Sequence, residues 1–389
     1  MCIFVEMDNY KIIKPEVADD FAGALESVVR QMGEFLTTEE VAGRSPVYVR
    51  FFLSDAQNQA AALREALRTG NARTGGPLWV TDGPFARRGG NSISIVEQPP
   101  LDGNRIAALV RTSSEADQYL FHSLRLTEEE AAGKTSYEQS RLLFDKYLGI
   151  IRPLGLELKT HCVRTWIYVR DIDSNYAGLV KARNDVFAEE GLSFDTHYIA
   201  STGIGGANEC RSAVVAIDFL TQPGICEADK TYLKALSHLS PTHDYGVAFE
   251  RGVKVAGPSA DHIYISGTAS IDHLGHILHE GDVIAQADRL LENIAALLAE
   301  SGRDGLLSAK SKGPVRVPQG EPGTGIAFPH CALAPVPAGV PYWVVYLRDI
   351  SDYTKVDAYM QARFPDTPRI ILEARVCRPG WLIEMECEV

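Results

Sequence analysis

The sequence predicts an α+β protein made of three copies of one small unit joined in a single chain. Three observations predict it. A similar segment occurs three times: VYVRFFLSDAQNQAAALREAL from Val47, VRTWIYVRDIDSNYAGLVKARNDVF from Val163, and YWVVYLRDISDYTKVDAYMQARF from Tyr342. Each opens with an apolar, β-branched or aromatic run suited to a buried strand, reaches an acid at Asp55, Asp171 or Asp349, and continues into a helix-like stretch. Finally, a chain of 389 residues exceeds the roughly 250–300 residues at which a single core stops growing.

The elements follow in order. In the first copy, 1–112, Phe21, Leu25, Val28, Met32 and Phe35 fall on one helical face ahead of the repeated strand, and strands Ser92–Val96 and Arg105–Val110 come after the second helix. In the second copy, 113–232, Tyr137, Phe144, Leu148 and Ile151 form a rougher stripe, and Ala213–Phe219 is the clear later strand. The third copy, 233–389, opens with a hairpin, Val247–Val255 and His262–Ala269, about Gly257-Pro258. Its helix carries Ile284, Ala287, Leu291, Ile294 and Leu298, and strands Ile370–Val376 and Leu382–Glu388 are joined by Arg378-Pro379-Gly380. The predicted unit is β-β-α-β-α-β-β. An insertion at 303–341, rich in Pro and Gly, reads as a long loop in the third copy.

Composition excludes several functions. With a net charge of -13 and a pI near 5.3, the chain repels phosphate backbones, so nucleic acid is not an expected partner. No apolar run approaches the ~20 residues of a membrane span, so no membrane partner is expected. MCIFVEMDNYK does not read as a signal peptide. The seven cysteines are odd in number and form no CxxC pair, which fits reduced thiols in a cytoplasmic protein.

Arg369 and Glu384 are the first chemical candidates, fifteen residues apart on neighbouring predicted strands. A guanidinium fork grips a carboxylate through two parallel hydrogen bonds. A glutamate inside WLIEMECE is desolvated, which favours its protonated form near neutral pH. On the residues alone an ordinary ion pair between adjacent strands is the favoured reading. His273, His276 and His279 sit at a turn around Gly275, and STGIGG at 201–206 lacks the endings of a phosphate loop. No metal and no cofactor are expected.

The third copy, roughly Asp244–Val389, resembles the Rid family, the YjgF-like enamine/imine deaminases. The matching pieces are YGVAFERG at 245–252, ISGTASID at 265–272, the helix led by Gln286, VYLRD at 345–349, and FPDTPRIILEARV with WLIEMECE across 364–388. The resemblance implies chorismate-mutase-like units that assemble as trimers with sites at their interfaces. Three linked copies would then form a pseudo-trimer. It further implies that Arg369 binds the substrate carboxylate, that Glu384 moves a proton or positions water, and that Tyr245, Ser266 and Gly267 line the pocket. Ile371 stands where many relatives have cysteine, and Asp357 where many have asparagine. The first two copies lack the Arg–Glu pair, so one site per chain is expected.

Arg164-Thr165-Trp166-Ile167-Tyr168 and Thr202-Gly203-Ile204-Gly205 are similar to signatures of chorismatases, a Rid-related branch that hydrolyses the enol-pyruvyl ether of chorismate. That similarity implies Arg164 and Arg183 reaching across an interface into the site. The expected activity is hydrolysis of a small enamine or imine acid to a keto acid and ammonia. The alternatives are a chorismatase-like hydrolase and a non-catalytic binder of small acids. The expected partner is a small carboxylate, and the expected state is a monomer or homodimer, because the trimer is already inside the chain.

Overall fold

The computed structural model describes residues 7–74, 93–303 and 339–389, with the backbone of four two-residue strands between 307 and 337. The first part of the chain contains β1 (Asp8–Ile13), α1 (Phe21–Val41), β2 (Ser45–Leu53), α2 (Ala56–Thr74), β3 (Ile93–Glu97) and β4 (Ile106–Ser113). The second contains β5 (Leu120–Leu124), α3 (Glu128–Ala131), α4 (Ser136–Ile151), α5 (Leu158–His161), β6 (Cys162–Val169), α6 (Ile172–Glu189), β7 (Ala200–Gly205) and β8 (Val215–Thr221). The third begins with β9 (Lys230–Leu233), β10 (Gly252–Val255), β11 (His262–Ala269) and α7 (Val283–Glu300). Next come the short β12 (Leu307–Ser308), β13 (Arg316–Val317), β14 (Ile326–Ala327) and β15 (Val336–Pro337). The chain closes with β16 (Trp343–Leu347), α8 (Tyr353–Arg363), β17 (Arg369–Glu373) and β18 (Ile383–Glu388).

The fold is mixed α+β, with one strand order used three times. The first sheet runs β1-β4-β2-β3 and the second β5-β8-β6-β7; the third runs β17-β16-β18-β11-β10-β9, and its β11-β18-β16-β17 portion repeats that order. In each sheet one parallel pair, β2/β3, β6/β7 or β16/β17, lies beside an antiparallel partner. The predicted two leading strands are not found uniformly. β1 and β5 stand alone at the start of their sheets, whereas the third sheet carries β9 and β10 beyond β11. It therefore begins at Lys230, shortly before the expected limit at 233.

The acid after each repeated strand turns the chain into a helix, by two different means. Asp55 and Asp349 accept hydrogen bonds through Oδ1 from the amides of Asn58 (3.2 Å) and Ser351 (2.8 Å). Asp171 instead adopts a left-handed conformation, φ 47°, and its carbonyl receives Ser174 and Asn175. Elsewhere α4 opens with a reciprocal capping box between Thr135 and Glu138, and Asp282 caps α7 through Ile284 and Ala285.

Alternation along the strands gives each sheet two faces. On β2, Val49, Phe51 and Leu53 pack with Leu25, Val28 and Met32 of α1. Tyr48 and Phe52 point the other way, into a second core. On β6, Ile167 and Val169 meet Phe144 and Leu148 of α4, while Trp166 and Tyr168 join Tyr48 and Phe52. Residues from all three sheets, including Tyr346 and Met385, share this central cluster, so the copies are not strung out as separate bodies. Most of the 303–341 insertion lies outside the described residues; β12 pairs with β15 and β13 with β14. No described helix is long and apolar enough to cross a membrane.

Candidate active site

The last strand carries three acids at alternate positions, Glu384, Glu386 and Glu388, all buried. A period of two places them on one face of β18. Each has a different environment. Glu388 accepts from Tyr48 Oη (2.7 Å), Tyr10 Oη (3.1 Å) and Arg111 Nη1 (3.3 Å). On Glu386, Oε1 receives Arg50 Nη1 (2.8 Å), Tyr346 Oη (2.9 Å) and Trp166 Nε1 (3.1 Å), and Oε2 receives Arg164 Nη2 (2.8 Å) and the Thr202 hydroxyl. Burial opposes the charge on Glu386, but the Arg50 and Arg164 guanidiniums outweigh it and hold the carboxyl below its ordinary range.

Glu384 has no such support. It is 4% exposed. Burial, reinforced by the charge on Glu386, pushes its pKa up to about 8, against the pull of Arg164 and Arg251. That shift favours the protonated carboxylic acid at neutral pH. Its carboxyl lies against Gly267 of β11: a Cβ there would stand 1.9 Å from Glu384 Oε1. Glycine leaves room for the acid in this position, and any Cβ would displace the end of its side chain. The Gly267 amide donates to Thr202 Oγ1 of β7 (2.9 Å), and Ser266 Oγ receives the Ser201 amide (2.9 Å) while donating to the Glu250 carbonyl (2.5 Å). The floor beneath Glu384 is therefore stitched between the second and third parts of the chain.

A cavity opens onto Glu384. Tyr176 and Arg183 of α6 and Ser201 and Gly203 of β7 form one wall; Phe249, Arg251 and Gly267 form another; Cys377, Arg378 and Trp381 close it from the segment before β18. That segment is held in place by the Gly205 amide donating to the Arg375 carbonyl (2.8 Å) and by Trp381 Nε1 donating to the Ser270 carbonyl (2.9 Å). Arg183 is 2% exposed, and its Nε and Nη2 have no hydrogen-bond partner among the described residues. Those two groups form the side-on edge of the guanidinium that takes a carboxylate bidentately. Burial pushes the Cys377 thiol up to about 12, so it is a neutral wall group rather than a nucleophile.

The structure does not bring Arg369 and Glu384 together, nor are they an ion pair. Arg369 lines a second cavity with Ile371, Asp357, Tyr353, Lys14 and Asp102, between the third and first parts of the chain. Its Nε and Nη2 reach Asp357 Oδ1 at 3.1 and 2.8 Å, and Nη2 also reaches Gln361. The reason is register. Arg369 lies beside Trp343 on one edge of β16, and Glu384 lies opposite Tyr346 on the other, where β18 runs. These two edges face different neighbours. In the second sheet Ser201, beside Thr165, holds the place of Arg369, so the Glu384 cavity meets a serine where the resemblance implied an arginine.

Register also locates the acid uniquely. Glu384 lies opposite Tyr346; the corresponding partners are Tyr168 with Ala216 and Phe52 with Ala107. Of the other expected residues, Arg183 and Gly267 line the Glu384 cavity, Ser266 supports its floor, and Asp357 and Ile371 belong with Arg369. Arg164 was expected to reach the cavity, but its guanidinium pairs with Glu386 of the third sheet and does not line it. The side chain of Tyr245 lies outside the described residues. Among the described residues no group of His, Cys, Asp and Glu could hold a metal ion. Arg251, Arg378, Trp381 and Glu386 also belong to the site or its support, although no sequence motif marks them as site residues. In the sequence Arg378 reads as a turn residue, and the signal for Glu386 is its alternation with Glu384 along one strand.

No family model and no curated protein matches this chain. Solved structures do. A chorismatase crystal structure matches over 100% of both chains, with TM-score 0.62 and 19% identity. RidA from the Antarctic bacterium Psychrobacter (19% identity) and a Rid-family protein of unknown function from Yersinia pestis (18% identity) each match 41% of this chain and 98% of their own, with TM-score 0.27. At that identity the likeness is one of fold: over its full length this chain has the fold of a chorismatase.

Proposed function

We propose that this protein hydrolyses the enol-pyruvyl ether of a ring-bearing carboxylate of the chorismate class, in the cavity between its second and third units. On this reading the three units stand in for the subunits of a trimer, and only the third supplies the acid. The observation that carries the proposal is a neutral buried carboxylic acid, Glu384, sharing one cavity with Arg183, whose carboxylate-gripping edge is unpartnered.

The chemistry follows from those groups. Arg183 grips a carboxylate of the substrate. Glu384 gives its proton to the terminal methylene carbon of the enol ether, and positive charge develops at the ether-bearing carbon. Water adds there, the hemiketal collapses to pyruvate and the ring alcohol, and a proton from water returns to Glu384. Phe249, Trp381 and Tyr176 give the cavity aromatic walls for a ring. Three guanidiniums, of Arg183, Arg251 and Arg378, line it, which suits a substrate with two carboxylates better than one with a single carboxylate.

The second reading, hydrolysis of a small enamine or imine acid, draws on the same neutral acid. Products separate the two. The purified chain is offered chorismate and, separately, freshly generated 2-aminoacrylate, with pyruvate and ammonia followed. Pyruvate from chorismate without ammonia is the expected result. Turnover of the enamine alone would replace the proposal with the second reading, and no turnover of either would leave a binding protein.

A further inference from the structure

We propose that Glu386 is a positioning residue that keeps the proton on Glu384, and that Arg50, reaching it from the first unit, sets how strongly it does so. The inference rests on Glu384 being the acid of the proposed reaction. The two carboxyls are two residues apart on one face of β18, and both are almost closed to water. Two carboxylates so placed cannot both be ionised cheaply, and the proton stays on the one with fewer donors. Glu386 takes five donors, two of them guanidiniums. No hydrogen bond contributes to the protonation balance of Glu384.

The groups around Glu384 leave Glu386 as the principal anion. Arg183 and Tyr176 face it from α6, Arg251 from the segment before β10, and Cys377 and Arg378 from the segment before β18. Arg164 approaches from β6, and Tyr346 lies opposite on β16. The cations favour the ionised form. Burial and Glu386 oppose them.

Arg50 gives the first unit a part in this. None of that unit's described residues lines the Glu384 cavity. Yet Arg50, fully buried on β2, donates to Glu386 at 2.8 Å and stacks over Trp166 of the second unit at 4.8 Å. The ionised Glu386 with Arg50 and Arg164 carries one net positive charge. Removing Glu386 raises that to two, and removing Arg50 lowers it to zero.

The test reads the proton directly. The carboxylic C=O stretch of Glu384 is identified by infrared difference against Glu384→Gln, then titrated from pH 5 to 10 in the full chain. In Glu386→Gln the midpoint is expected to fall by at least one pH unit, in Arg50→Gln to rise, and in the double variant to return towards the parent. Where substrate is turned over, the basic limb of the rate profile moves in parallel. Should Glu386→Gln fail to fold, the rise in Arg50→Gln decides. A midpoint unmoved by either change overturns the proposal. Because the band is read without substrate, an inactive parent with the expected shifts would sink the proposed function while the control of the Glu384 proton by Glu386 and Arg50 still held.

Discussion

Replacing Glu384 by glutamine has a consequence for stability that grows with pH. In the unfolded chain this carboxyl titrates near its ordinary 4.5, whereas burial and Glu386 hold it at about 8 in the native protein. Between those values the native state binds one proton more than the unfolded chain, so stability falls as pH rises, by about 1.4 kcal/mol per pH unit. The contribution is fully present below pH 4.5 and is lost as pH passes 8. Across the window the sum is on the order of 4–5 kcal/mol. Glutamine has nearly the shape of the protonated acid and nothing to release. Glu384→Gln should therefore match the parent near pH 5 and exceed it progressively from pH 6 to pH 9. Urea denaturation of both proteins at one-unit pH steps measures the difference. Parallel curves would refute the buried neutral acid, whatever the catalytic outcome. Turnover in the same variant should drop by roughly 10²–10⁴.

Other substitutions separate the two cavities. Arg183→Gln should lower kcat/KM by roughly ten- to a hundredfold, the cost of one charge-assisted hydrogen bond; calorimetry should show no loss of stability, because Nε and Nη2 have no partner to lose. Arg369→Ala should leave turnover unchanged and stability within about 1 kcal/mol, since its Asp357 partner is 41% exposed; a large loss in kcat/KM would put the substrate carboxylate back on Arg369. Gly267→Ala should abolish turnover while the chain still melts cooperatively, because the added Cβ falls on Glu384 Oε1. Arg164→Met should destabilise by about 3–5 kcal/mol in denaturant titrations, because it strips a buried partner from Glu386.

The repeated strand, the acid that ends it and the helix that follows were legible because they are local: β-branched and aromatic runs, an Asx turn and one-face apolar stripes all act over a few residues. So was the desolvation of Glu384, which its own strand imposes. What a linear reading could not assign was partnership across sheets. Arg369 and Glu384 are near in sequence, but they leave β16 by opposite edges, and each edge meets a different neighbour. Sequence spacing therefore paired two residues that belong to two cavities. Arg50 could have been suspected, since a lone arginine inside VYVRFFL must find a buried anion, and the alternating acids of IEMECE are the natural place to look. The single-site expectation has a plain basis in register, with Ala107 and Ala216 where Glu384 stands.

Which of the two cavities takes the substrate decides whether Arg183 or Arg369 holds its carboxylate. The most direct measurement is a crystal structure of the protein grown with an unreactive ring dicarboxylate. Density is expected between Glu384 and Arg183, with a ligand carboxylate on the Nε and Nη2 edge of Arg183 and the ring against Phe249 or Trp381. Density beside Arg369 and Lys14 instead, with the Glu384 cavity vacant, would contradict it.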